Sequence, residues 1–383
     1  MTTRRVISAG KDGYCICSRC IMDTTDPDIS FDADGVCSHC RRYEGLTGSA
    51  SYLEKKQPGA LDQLAEKIKK AGRGKPYDCI IGVSGGVDST YTAYLTKKIG
   101  LRPLAVHLDN GWDSELAVAN IEKTLKILGI DLYTHVIDWE EFRDLQLAFL
   151  KASTPDAEIP TDHAILALLY SIAAREGVRT ILSGHNMATE GGGVPAWSQG
   201  HGDWRYIREI NRRFGSGKLR TYPHYGPWRF IYYTVVCGIR WVPILDYVEY
   251  SKKAAIELLK TELCWKEYEA KHYESIYTRF YQGYLLPVKF GFDKRRLHLS
   301  SLIWSGQMTR VEAMAEMETE HYPREVQNED RAFFLKKMGI DEGEFTVILN
   351  ASPKTFWDYP SYKRSPVFRV RRLLNIYHYF KRS

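Results

Sequence analysis

The sequence predicts an α/β protein with a doubly wound parallel sheet, a small metal-binding module before it and a mainly helical region after it. Three observations carry this. Short apolar runs alternate with helix-length amphipathic stretches from Tyr77 onward, a glycine-rich turn follows the first run, and four cysteines form two C-x-x-C pairs near the N-terminus.

The apolar runs 79–83 (CIIGV), 104–108 (LAVHL), 132–137 (LYTHVI) and 180–183 (TILS) read as strands. Helical patterns fill 91–99, 115–128, 140–151 and 162–176. Strands alternating with helices of this length imply parallel pairing, and ligands on such sheets collect at the carboxyl ends of the strands. Ahead of the sheet, 46–76 reads as a flexible joint, a charged helix and a Gly/Pro stop. Beyond Glu190 the pattern is irregular and aromatic, and Trp197, Trp204 and Trp228 are expected to pack in the core. A long helical region is expected from 250 to about 283. The resulting division is 1–45, metal-binding module; 46–76, linker and helix; 77–246, sheet domain; 247–383, helical substrate- or partner-binding region with a basic tail.

Composition sets the class. Of 383 residues, 44% are hydrophobic and 26% charged, which suits a globular chain with a sizeable core. No run of 18 apolar residues occurs and the N-terminal stretch lacks the apolar core of a secretory signal, so a cytoplasmic enzyme is expected. The net charge of +6 is local: residues 361–383 hold seven Lys or Arg and no acid, which leaves the remainder at −1. A nucleic-acid binder would spread its cations over a broad face, so no nucleic-acid partner is expected. Within the tail, Val370, Leu373, Leu374 and Tyr377 recur at helical intervals, as in a terminal helix docking on its own domain.

Cys17-x₂-Cys20 and Cys37-x₂-Cys40 are separated by 16 residues. Two such knuckles bring four thiolates to tetrahedral Zn²⁺, with Gly35 supplying the turn before Cys37. Four protein ligands leave no open position, so the site is expected to be structural; an iron–sulfur cluster or unrelated free cysteines are the alternatives. Cys15 is a spare, and His39 lies inside the second knuckle.

The first strand runs into Ser84-Gly85-Gly86-Val87-Asp88-Ser89-Thr90, with a helix behind it. Glycines let backbone N–H groups approach phosphates, the helix dipole adds positive potential, Ser84, Ser89 and Thr90 add hydroxyls, and Asp88 can hold Mg²⁺. The string is neither a Walker A loop nor a Rossmann fingerprint. It resembles the S-G-G-x-D-S loop of the N-type ATP pyrophosphatases (the PP-loop superfamily), which cleave ATP between its α- and β-phosphates and leave AMP on a substrate oxygen. That resemblance implies ATP as cosubstrate and makes 77–246 the pyrophosphatase domain. Asp109, at the second strand end, falls where the superfamily places groups around the nucleotide. Gly184 and Glu190, in SGHNMATE, resemble the strand-end segment of NAD synthetase and imply a second Mg²⁺ ligand at Glu190.

Beyond these motifs the chain resembles the N-acetyl sugar amidotransferases of bacterial surface-polysaccharide (lipopolysaccharide O-antigen) biosynthesis. CSRCIMDTTDP, SGGVDST, SGHNMATEGG, the segment 271–296 (KHYESIYTRFYQGYLLPVKFGFDKRR) and 299–314 (LSSLIWSGQMTRVEAM) carry it. The resemblance implies an ATP-dependent conversion of an acetamido group on a sugar or nucleotide sugar into an acetamidino group. It also implies that a partner glutaminase with a cyclase-like channel subunit supplies the ammonia. Lys271, Glu274, Ser275, Thr278, Arg279 and Gln282 fall on one polar stripe of a predicted helix over 271–284 and are expected to wall the substrate cleft. Lys289, Lys294 and Arg295 follow in a Gly-punctuated loop; Lys289 and Arg295 are expected to meet phosphate or a substrate carboxylate during catalysis.

The rival reading is a tRNA-thiolating PP-loop enzyme, some of which carry zinc knuckles. It would need a sulfur-carrying cysteine near the nucleotide, and Cys237 and Cys264 are expected to lie far from the strand ends. No G-x-C-x-G elbow occurs and position 2 is Thr, so this chain by itself is not expected to release ammonia from glutamine.

Overall fold

Apolar runs of four to seven residues, flanked by turns, assemble into one parallel sheet. The computed structural model describes residues 13–268, 273–320 and 322–364. Strands β1 (Cys79–Gly82), β2 (Pro103–Asp109), β3 (Asp131–Val136), β4 (Thr180–Ser183) and β5 (Arg240–Pro243) stand in the order β3-β2-β1-β4-β5. All pairings are parallel, and Ile80 of β1 lies opposite Leu104 on one side and Ile181 on the other. Side chains alternate across the sheet. Cys79, Ile81 and Val83 join a core with the helices Ala60–Ala71, Val87–Lys98, Glu115–Leu128 and Lys252–Leu263. Ile80 and Ile181 join the larger core on the other face, with Trp139–Ala152 and Ile159–Arg175. The result is helix–sheet–helix layering, and the strand order reverses between β1 and β4.

The structure departs from the sequence-based expectation in several places. β5 comes from the stretch expected to be irregular; its four residues, RWVP, are too few to display a period. The helical region expected over 250–283 is broken. The helix Lys252–Leu263 stops at Cys264, which has a left-handed φ of 49°. Among the described residues that follow, helix is next found at Ile276–Phe280 and passes into π-helical turns over Tyr281–Phe290, where Pro287 removes a backbone donor. Of the expected stripe over 271–284, residues 273–275 are not helical and 276–284 are, while Lys271 lies outside the described residues, as does the tail helix expected around 370–377. Trp197 is buried and stacked on Phe292 with centroids 4.5 Å apart, but Trp228 is exposed rather than in the core.

The chain after the break is tied across the strand ends. The amide of Ser114 donates to the Glu274 carbonyl (2.9 Å) and that of Ile276 to the Trp112 carbonyl (3.0 Å), so residues 274–276 lie against the loop that follows β2. Beneath this strap, buried Trp112 packs on Tyr277 (5.2 Å) and Phe334 (5.9 Å), and Phe334 also meets Phe280 (4.9 Å). Phe334→Ala is expected to lower the unfolding free energy by about 3–5 kcal/mol through lost burial and a residual cavity. Urea denaturation measures it; a loss under about 1 kcal/mol would show that the strap does not lean on this ring.

Candidate active site and metal centre

Backbone geometry at the end of β1 prepares a site for an anion. Gly85 has a φ of +78°, and a Cβ there would stand 2.7 Å from the Ala117 carbonyl oxygen. Its own carbonyl accepts from the Trp265 indole N–H (2.9 Å) and the Tyr268 hydroxyl (3.0 Å). The Ser84 amide donates to Ser89 Oγ (3.3 Å), whose hydroxyl donates to the Gly86 carbonyl (3.0 Å). Gly86 caps the helix Val87–Lys98 and offers no side-chain acceptor to its first turn, where the helix dipole favours an anion. Thr90, expected to present a hydroxyl, is buried. Trp265 and Tyr268 were not legible as loop contacts, because a C-W-K-E-Y run within a helical pattern gives no sign that the chain turns back. Cys264 directly precedes Trp265, so it lies closer to the loop than its position suggested, with its side chain exposed.

The end of β4 meets this loop backbone to backbone. A Cβ at Gly184 would come within 2.9 Å of the carbonyl carbon and oxygen of Asp88, so glycine is what permits the approach. The Asp88 carboxylate accepts from the Tyr250 hydroxyl, whose pKa is driven well up by burial and then by the Asp88 charge. Glu190 Oε2 lies 2.8 Å from His185 Nδ1, and that bond and charge raise the imidazole's pKa against its burial. Buried Asp246 accepts from the Met187 amide (2.9 Å) and pairs with Lys55 (3.3 Å), which fixes the short helix Met187–Glu190 that carries Glu190. Asp88 and Glu190 thus extend from the ends of adjacent strands. This donor set fits Mg²⁺, which takes one or two carboxylates and completes its shell with phosphate oxygens and water.

At the end of β2, Asp109 accepts from the Gly111 amide (2.9 Å), and Lys337 donates to the Gly111 carbonyl while lying over Trp112 and Trp139 (5.0 Å each). His107 sits between the Val83 carbonyl (3.0 Å) and Asp113 (3.3 Å); burial disfavours its charge, but Asp113 outweighs it and the pKa is raised. The strap brings Glu274 onto the loop, where a Cβ on Gly86 would stand 3.3 Å from its Oε1.

Other predicted residues divide into separate groups. Gln282 (2.6 Å) and Lys294 (3.2 Å) converge on Glu158 Oε2, at the head of the helix Ile159–Arg175. That helix start touches the β2 end through Asn110 Nδ2 and Thr161 Oγ1 (3.4 Å). Burial raises the Glu158 carboxyl's pKa, although Lys294 opposes this. Nothing around Glu158 in the sequence marks it. Arg279 makes a two-pronged pair with Asp330 (2.6 Å each) and lies over Tyr273 (4.4 Å). Lys289 donates to the Ile348 carbonyl, and burial lowers its pKa to about 8. Arg295 pairs with Asp293 (2.8 Å) and donates to the Thr319 carbonyl (3.3 Å). Arg279, expected on the cleft wall, and Lys289 and Arg295, expected to meet phosphate or a substrate carboxylate, are each met by protein acceptors.

The cysteines do come together. Cys17–Cys40, Cys20–Cys37 and Cys37–Cys40 have Sγ separations of 3.8, 3.6 and 3.7 Å. All four Sγ atoms lie within 4.8 Å of one another. One tetrahedral ion with Zn–S of about 2.3 Å requires edges of about 3.8 Å, so the site fits a single ion such as zinc; a cubane cluster would hold each sulfur on a different iron, farther apart. Amides of Arg19, Cys20 and Cys37 point at Cys17 Sγ (3.3–3.4 Å), and the Trp304 indole donates to Cys40 Sγ (3.1 Å). His39 pairs with Asp26 (2.6 Å) instead of joining the ligands. Trp304 also backs onto Gly192, and the next residue, Ser305, donates to the Ala188 carbonyl (2.7 Å). The metal centre is thereby braced against the segment that carries Glu190.

Sheet order and connectivity give a doubly wound parallel α/β fold, with the glycine-rich loop at the reversal of strand order. Residues 274–374 match the profile of the family described as "LPS biosynthesis protein WbpG-like, C-terminal domain". The chain is 23% identical over 330 residues to an uncharacterized protein of Methanocaldococcus jannaschii, covering 84% of this chain and 99% of that one. It is 31% identical over 159 residues to a glutamine-hydrolyzing GMP synthase of Pyrobaculum aerophilum, covering 36% of this chain and 30% of that one. Among solved structures, it is similar to the NH3-dependent NAD synthetase of Campylobacter jejuni (13% identity, TM-score 0.29, 56% and 85% of the two chains). It is also similar to the U34-tRNA thiolase NcsA of Methanococcus maripaludis (14%, 0.32, 68% and 80%). At such scores these likenesses say nothing about the reaction. No helix among the described residues is long and apolar enough to cross a membrane.

The purified chain is expected to carry one zinc ion, and Cys37→Ser to lose it. Elemental analysis checks this; iron in place of zinc, or full zinc in the variant, would contradict the assignment.

Proposed function

We propose that this chain is an ATP-dependent amidotransferase acting on an acetamido group of a sugar or nucleotide sugar. The observation that carries the reading is the glycine-capped helix start at 86–88, which carries Asp88 and meets Gly184 at the end of β4, six residues before Glu190; this suits a nucleoside triphosphate with its Mg²⁺. The WbpG-like match of residues 274–374 supports a substrate from surface-polysaccharide synthesis.

The chemistry follows from what an amide lacks. Its oxygen is a poor leaving group. Attack of that carbonyl oxygen on the α-phosphorus of ATP forms an O–P bond and expels pyrophosphate, leaving an O-adenylated imidate. Ammonia then adds to the imidate carbon, the C–O bond breaks, AMP departs with the oxygen, and the proton lost from nitrogen leaves an acetamidine. In this reading the Ser84–Ser89 turn and the helix start hold the departing phosphates, and Asp88 and Glu190 hold the Mg²⁺ that neutralises them. Glu274, held over Gly86 by the strap, faces the place where the substrate oxygen must approach. Gln282, Lys294 and Glu158 form the polar floor for sugar hydroxyls or an anionic substituent. Ammonia reaches the site from a partner glutaminase with a channel subunit.

Pyrophosphate release measured with UDP-linked N-acetyl sugars, ammonia and MgATP should exceed the rate without sugar. Asp88→Asn should lower that rate by about 10²-fold or more while zinc content stays unchanged. Release stimulated by tRNA with a sulfur donor, and not by the sugars, would replace this reading with the thiolation one.

A further inference from the structure

The helix that carries Glu190 cannot hold itself in place. Met187–Glu190 is a single turn, closed by the Glu190 amide donating to the Asn186 carbonyl (3.1 Å), and Gly191, Gly192 and Gly193 follow it. One helical turn has no stability of its own, and three glycines in a row give the backbone its greatest freedom. Asn186 and Asp246 fix the start of the turn through the amides of Thr189 and Met187 (2.9 Å each). The direction in which Glu190 leaves it is set by the surfaces on which 188–193 lies.

Two helices supply those surfaces. From Arg295–Trp304 and its cap, the Ser305 hydroxyl donates to the Ala188 carbonyl (2.7 Å) and His298 Nδ1 lies 3.3 Å from the Thr189 carbonyl. A Cβ on Gly192 would stand 2.6 Å from Leu297 Cδ1 and 2.8 Å from Trp304 Cζ3, so the backbone there lies flat on both side chains. From Ser38–Thr47, Tyr43 covers Gly191, where a Cβ would come within 2.5 Å of its ring, and the Arg42 guanidinium donates to the Gly193 carbonyl (3.4 Å). Each glycine of the run is thus met by one of the two helices.

Both helices converge on the four cysteines. Cys37 caps Ser38–Thr47, Cys40 lies in its first turn and Tyr43 one turn further on. Trp304 donates its indole N–H to Cys40 Sγ (3.1 Å), and the buried Tyr43 and Trp304 rings touch with centroids 5.4 Å apart. The other knuckle clamps the second helix: the Ile21 amide donates to Ser300 Oγ (3.3 Å), and Arg296 donates to the Ile21 carbonyl (3.0 Å) and pairs with Asp23 (2.9 Å). Ser38–Thr47 buries little beyond His39, Cys40 and Tyr43. An ion shared by the two knuckles therefore joins the helix that supports Gly191 and Gly193 to the helix that supports Ala188 and Gly192.

We propose that the cysteine centre sets the position of Glu190, with Trp304 and Tyr43 as the positioning residues between them, so that the centre governs Mg²⁺ binding at the phosphate loop. This rests on the reading of Asp88 and Glu190 as Mg²⁺ ligands. Calorimetric titration of the full chain with ATP, with and without Mg²⁺, tests it. Trp304→Phe, which keeps a ring but removes the donor to Cys40, should weaken MgATP binding about threefold or more. It should leave ATP binding without Mg²⁺ and the zinc content unchanged. Gly192→Ala, which leaves the cysteine centre untouched, should do the same. Coupling between two sites is reciprocal, so in the cobalt-substituted protein MgATP should shift the thiolate-to-cobalt absorption band, and less so in Trp304→Phe. If Glu190→Gln leaves MgATP binding unaltered, the Mg²⁺ reading falls and this proposal with it. If Glu190→Gln weakens MgATP binding while Trp304→Phe and Gly192→Ala do not, this proposal alone is overturned. Equal weakening of ATP with and without Mg²⁺ in Trp304→Phe would overturn it too, by assigning Trp304 to general stability.

Discussion

The contact on which the site depends is a backbone meeting a backbone. β4 ends in Gly184, and with no side chain there the strand end passes directly against the carbonyl of Asp88, at the start of the helix behind the phosphate loop. Any Cβ at 184 would push the two apart by a good part of an ångström, and the carboxylates carried by the two strand ends would separate with them. The same economy of atoms holds at Gly85, which is pinned by Ala117 on one side and receives Trp265 and Tyr268 on its carbonyl. The loop is thus held in one conformation by its surroundings, and in the proposed reaction a loop so held would not have to reorganise as charge develops.

Around that contact the flanking regions act as braces. The N-terminal cysteine module is wired to the helix Arg295–Trp304 by the Trp304 indole, and Arg310 donates to the carbonyls of Cys17 and Cys20 (3.2 and 3.1 Å). The same helix holds residues 188–192, so removing the metal should be felt at Glu190 and not only within the module. On the other side, the strap 274–276 is tied to the β2 loop and carries Glu274 to Gly86, with the Trp112–Tyr277–Phe334 cluster beneath it. Three stretches far apart in sequence therefore converge on one strand-end crevice.

Much of this was readable from local pattern. Strands 79–83, 104–108, 132–137 and 180–183 and the helix 115–128 follow from runs whose period is complete within the segment, and the two C-x-x-C pairs announce their metal by spacing alone. What failed was what depends on distant partners. β5 is four residues whose strand character comes from pairing with β4. The region 250–283 has helical spacing throughout, yet its middle is drawn out so that Trp265 and Tyr268 reach Gly85, and tertiary contact overrides propensity there. Arg279 and Lys289 looked available for a ligand because sequence shows charges but not the distant Asp330 and Ile348 acceptors that meet them. Glu158 was missed for the converse reason: its partners Gln282 and Lys294 lie more than a hundred residues away.

The structural parts acquire a single chemical sense if the substrate's own oxygen becomes the leaving group. A rigid phosphate loop and a metal held by Asp88 and Glu190 would stabilise pyrophosphate as it departs, and a polar floor at Glu158 would orient the sugar so that its carbonyl oxygen lies in line with the α-phosphorus. Isotope tracing addresses this most directly. With ¹⁸O placed in the acetamido carbonyl of the sugar and the reaction run with ATP and ammonia, the account predicts that one ¹⁸O appears in the phosphate of AMP. AMP free of label, or ADP formed in its place, would contradict it.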